Sequence, residues 1–159
     1  MVKQNSLDRF GSRSAYLTRE WLVAIQTPVD GVKPLTDALS EHLPITQGHF
    51  DKCLYVTGPG QQRFHALAGS HAGFEDPVQS TAAAEITFSI PQDAELLDRV
   101  FETVFDVHCN EEPTIRILET WGSRFDHLDD RRNPNRYWNR ADADTLHGQP
   151  VATVYARSA

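Results

Sequence analysis

The six residues His108-Cys109-Asn110-Glu111-Glu112-Pro113 set an imidazole, a thiol and two adjacent carboxylates ahead of a chain-breaking proline. An imidazole changes charge near neutrality and ligates metals, and a carboxylate supplies hard oxygen ligands or a general base. His108, Glu111 and Glu112 are therefore candidates for metal binding or proton transfer. The same residue types also build a turn that has no ligand. A carboxylate accepts from turn amides, His108 caps the last carbonyls of a helix, and Pro113 opens a strand. Adjacent side chains on extended backbone point to opposite faces, so Glu111 and Glu112 are not expected to serve one site together.

A second constellation lies upstream, in His49, Cys53, His65 and His71. If the segments flanking Gly58-Pro59-Gly60 pair as a hairpin, Cys53 and His65 come close on one face and can form a soft mononuclear metal site. No compact Cys-x-x-Cys spacing supports it, and a buried structural Cys53 is the alternative. Near the C-terminus, Arg124, Arg131, Arg132, Arg136 and Arg140 with Tyr137 and Trp138 can clamp an anion or wrap onto another subunit. Asp126, Asp129 and Asp130 interleave with them, so a self-neutralised solvated segment is the competing reading. There is no Gly-x-Ser-x-Gly elbow, and the glycine turn lacks the Lys-Ser/Thr of a phosphate-binding loop.

The elements that position these groups follow from hydrophobic periodicity. Trp21-Leu22-Val23-Ala24-Ile25 reads as a buried strand, and Val32, Leu35, Ala38 and Leu39 mark one face of a helix of about ten residues. Phe50 to Thr57 is expected as a strand that turns at Gly58-Pro59-Gly60, with Arg63 to Leu67 pairing back. Ala68 to Ser80 reads as a loop. Ile86, Phe88 and Ile90 alternate with polar residues, which marks a strand with one buried face. Asp93 is a plausible N-cap for a second helix whose inner face carries Leu96, Leu97, Val100, Phe101, Val104 and Phe105. Thr114 to Thr120 is the last core strand, and Val151 to Tyr155 is a further edge-strand candidate. The order is that of a split β-α-β repeat, an α+β ferredoxin-like fold with two helices on one face of an antiparallel sheet.

Composition limits the partners. The chain has 159 residues, of which 40% are hydrophobic, enough for one domain with a real core. Residues 1–18 are expected to be an N-terminal arm, 19–122 the domain, and 123–159 a polar extension. A formal charge of -7, from 15 basic and 22 acidic residues, offers no field for nucleic acid or anionic membrane. No segment approaches the roughly 20 apolar residues of a membrane span, and the N-terminus lacks a secretory core, so a cytoplasmic location is expected. Cys53 and Cys109 are then expected as reduced thiols.

Several motifs resemble those of the PII-like or CutA-like small domain that is found in the Nif-three-type dinuclear-metal-centre proteins and also occurs alone. Gly48-His49-Phe50-Asp51-Lys52-Cys53 is similar to that family's first signature. Gly58-Pro59-Gly60 with Phe64 and Gly69-Ser70 is similar to its glycine turn, with about two additional residues. His108-Cys109-Asn110-Glu111-Glu112-Pro113 resembles its His-Pro-Tyr-Glu-Glu-Pro signature, with Cys109-Asn110 in place of Pro-Tyr. The resemblance covers about Trp21 to Trp121. It implies a PII/CutA-like fold and a homotrimer that binds a small molecule or a divalent metal ion in a cleft between subunits. Asp51, His65, His108 and Glu112 are the expected ligand-binding set, with His65, His108 and Glu112 as metal ligands. It does not imply a catalytic activity, and it implies that the residues holding a dinuclear centre belong mainly to other domains, which are not expected in these 159 residues. The rival expectation is a small hydrolase, isomerase or lyase using His/Glu acid-base chemistry. A purely structural partner-binding protein is a third.

Overall fold

A computed structural model describes residues 6–12, 15–71, 78–125 and 139–142. Its elements are β1 (Ala15–Pro28), α1 (Val32–His42), β2 (Tyr55–Phe64), β3 (Gln79–Pro91), α2 (Ala94–Val107) and β4 (Thr114–Phe125), with a short 3-10 turn at Ser6–Arg9. The strands form one antiparallel sheet in the order β2-β3-β1-β4, which is the split β-α-β topology of the ferredoxin-like fold.

Period-two alternation decides which face is buried. Val23 and Ile25 of β1, with Ile86, Phe88 and Ile90 of β3, face the helices and are fully or almost fully buried. Register places Ile86, Ile25 and Ile115 side by side across three strands, and Phe88, Val23 and Ile117 in the next row. These rows meet Leu35 and Leu39 of α1 and Leu96, Val100 and Val104 of α2. Spacings of three and four keep each helix's apolar residues on a single stripe. Pro34 sits in the first turn of α1, where no intrahelical donor is lost. The Asp93 carboxylate caps α2 by accepting from Glu95 N (2.9 Å) and Leu96 N (3.3 Å).

One expected element is absent. Gly58-Pro59-Gly60 does not turn a hairpin; β2 runs straight through it, pairing with β3 from Tyr55↔Thr87 to Phe64↔Gln79. Between Thr57↔Glu85 and Gly60↔Ala83, three steps on β2 face two on β3, so the glycines and proline form a bulge. The reason is the length of β3, whose 13 residues offer ladder partners on both sides of the interruption. Pro59, with no N–H to give, falls where the ladder is already broken, and the Gly58-Pro59 peptide is cis. A Cβ at Gly58 would lie 2.9 Å from that of Ala84, so the close strand approach requires glycine.

Other boundaries shift outward. Residues 15–18, expected in the arm, belong to β1, and β4 extends to Phe125, its partner being Ala15. Phe50 to Leu54 lies outside β2. The Val151–Tyr155 strand, and Arg131, Arg132, Arg136, Tyr137 and Trp138 of the expected clamp, fall outside the described residues. No described helix is long and apolar enough to cross a membrane.

Candidate functional site

Chain direction brings three segments to one end of the sheet: the end of β1, the connection after β2, and the turn between α2 and β4. His108 is the C-cap of α2, its backbone N–H donating to Val104 O at 2.8 Å. Its ring bridges backbone on both sides. Nδ1 accepts from Asn110 N at 3.0 Å, and Nε2 lies 2.9 Å from Gln26 O. A carbonyl can only accept, so in this arrangement Nε2 donates to Gln26 O. Both ring nitrogens are thereby engaged in holding the turn to β1.

Glu111 fastens the same turn to the connection after β2, its Oε2 accepting from His71 N at 2.8 Å. Glu112 and His65 are exposed at this end. Below the turn, Gly31 packs against Thr27, where a Cβ would come within 2.4 Å of Thr27 Oγ1 and 3.6 Å of Cys109 Sγ. The Thr27 hydroxyl is buried and has no hydrogen-bond partner among the described residues. Cys53 and Cys109 are free thiols.

Asp51 does not join this group. It precedes β2, whose ten residues span roughly 30 Å at strand rise. At that opposite end Asp51 lines an open groove of about 840 Å³ with Ser40, Glu41, Lys52 and Arg99. The same span separates Cys53 from His65, so the hairpin-dependent metal site is not formed. It required a chain reversal, and β2 makes none. Among the described residues no three His, Cys, Asp or Glu side chains of the chain are grouped to hold a metal ion.

Two polar features were missed in the sequence. On the sheet face away from the helices, Gln26, Thr57 and Glu85 line a depression of about 440 Å³ beside the β2 bulge. Gln26 Nε2 donates to Glu85 Oε2 at 3.3 Å, so Gln26 serves this depression with its side chain and His108 with its carbonyl. Farther along that face Glu20 is 3% exposed and ion-paired with Arg124. Thr18 Oγ1 donates to Glu20 Oε1 at 3.2 Å. Arg124 also donates to Gln47 Oε1 (3.1 Å) and Ser123 O (2.9 Å), tying the connection between α1 and β2 to β4. On β3 the usable signal was parity, since Glu85 alternates with Ile86, Phe88 and Ile90, whereas the continuous apolar run Trp21 to Ile25 leaves Glu20 and Gln26 of β1 unmarked.

The fold is shared with solved structures at low identity. A Bacillus cereus protein related to NIF3 superposes with a TM-score of 0.55 at 19% identity, covering 66% of this chain and 26% of that one. This chain therefore matches about a quarter of that protein's length. CutA1 from Oryza sativa gives a TM-score of 0.47 at 19% identity, over 66% of this chain and 83% of that one. The divalent ion tolerance protein CutA1 from Ehrlichia chaffeensis gives 0.48 at 13%, over 70% and 86%. No family model matches the chain, and no curated protein matches it. At these identities the likeness is one of fold.

Proposed function

We propose that this chain is a PII-like binding module of the cytoplasm, a homotrimer that takes a divalent metal ion or a small metabolite in a cleft between subunits. What supports the reading is the Glu111 carboxylate accepting from His71 N, which joins the connection after β2 to the turn that carries His108 and Glu112. Because both His108 nitrogens hold backbone, its ring fixes the turn, and the exposed Glu112 and His65 are the proposed ligand donors. One carboxylate and one imidazole leave a metal under-coordinated, so donors from a second subunit complete the set. The sheet face away from the helices supports assembly, since Tyr55 is 68% and Leu118 51% exposed on it. The divalent ion tolerance named for the CutA1 neighbour agrees with a metal ligand. The engaged His108 ring favours binding over acid-base catalysis.

The test combines light scattering after size exclusion with calorimetric titration of Zn²⁺, Cu²⁺ and Mn²⁺ and a thermal-shift screen of metabolites. A trimer is expected whose ligand affinity falls at least tenfold in Glu112→Gln and in His65→Ala. A monomer at micromolar concentration that binds none of the ligands sinks the reading.

A further inference from the structure

Arg19 and Trp121 are cross-strand neighbours on β1 and β4, with the guanidinium 5.6 Å from the indole centroid. Both aim their donors at one carboxylate, that of Asp8. Arg19 Nε and Nη2 each lie 2.6 Å from an Asp8 oxygen, and Trp121 Nε1 lies 3.3 Å from Asp8 Oδ1. A planar fork with an added indole N–H is a specific carboxylate receptor. The hydrogen bond to Asp8, then its charge, holds the Arg19 pKa above its ordinary value.

Backbone recognition lies alongside. β3 stops pairing at Pro91, opposite Glu20, so it does not reach the β1 edge over Ala15–Arg19. That edge receives the chain's own N-terminal segment instead. Leu17 N donates to Phe10 O at 3.4 Å, and Gly11 bridges Tyr16 in antiparallel fashion. A strand edge that takes an extended segment, next to a fork that takes an acidic side chain two residues upstream, has the components of peptide recognition by strand addition.

We propose that the β1 edge with the Arg19–Trp121 fork is a docking site for an extended peptide of a partner protein that presents one carboxylate side chain, filled in cis by the chain's own Asp8–Gly11 as an autoinhibitory strap. The strap is suited to exchange. Arg19 keeps 49% of its side chain exposed and Asp8 18%, so the pair is open to solvent on the arginine side. A short tether gives the cis segment an effective concentration of about millimolar, within reach of a competing peptide.

The test uses the full chain and a synthetic peptide of the sequence Asn5–Ser12, followed by the indole N–H resonance of Trp121. Asp8→Ala is expected to bind the peptide at least tenfold more tightly than the wild-type chain. Replacing the peptide's aspartate by asparagine, or adding Arg19→Ala, is expected to remove that gain. Equal or absent binding in Asp8→Ala and wild type overturns the proposal, as does binding indifferent to the peptide's carboxylate. Circular dichroism of Asp8→Ala and Asp8→Asn checks the fold; if neither folds, the segment is structural and the proposal fails.

Discussion

A methyl group at position 122 would sit 2.1 to 2.3 Å from three atoms of the Glu20 carboxylate. Gly122→Ala must therefore push a buried carboxylate out of its pairing with Arg124. Disrupting a buried pair costs about 3 kcal/mol, so the urea midpoint is expected to fall with the slope unchanged. An unaltered midpoint would show that Glu20 has room to move. Nothing in the sequence marks Gly122 as special, because its constraint comes from a strand about a hundred residues earlier. The same holds for His108. Its place between helix and strand is legible from periodicity, but the ring does not cap the helix carbonyls as expected: only its backbone N–H reaches Val104 O, and the imidazole turns to Asn110 N and Gln26 O. Its second partner, Gln26 O, lies 82 positions away and is visible only in three dimensions.

Elements whose signals are local were legible. β3 alternates, and α2 has its Asp93 cap and buries Leu96, Val100 and Val104 as expected, whereas Phe105, expected on the inner face, is 55% exposed. β2 was misread because Gly58-Pro59-Gly60 has the composition of a turn, while its actual state depends on how far β3 extends beside it. Tertiary pairing overrode local preference. The connection after β2 is also set from outside, through Glu111. In Glu111→Ala the His71 amide loses its acceptor, and hydrogen exchange at His71 is expected to accelerate at least tenfold with the core amides unchanged. Glu111→Gln keeps an acceptor oxygen and is expected to restore most of the protection. Uniform acceleration across the sheet would instead make Glu111 a determinant of global stability.

The whole molecule has one well-buried sheet face and one that carries Tyr55, Leu118 and the Gln26–Glu85 depression. Assembly through that second face predicts that Leu118→Asp, half exposed in the single chain, leaves the subunit folded but reduces the scattering mass to a monomer. An unchanged mass would move the subunit contact elsewhere. The central position of β1 has a consequence during synthesis. Its partner residues begin at Ala83 on one side and Thr114 on the other, and Ala15 pairs with Phe125, a separation of 110 positions. β1 thus emerges from the ribosome long before β4, and waits for it before both edges close. Such long-range closure is slow and exposes an apolar strand meanwhile. Nascent chains arrested before Thr114 should therefore engage chaperones, and release should follow once β4 has cleared the exit tunnel.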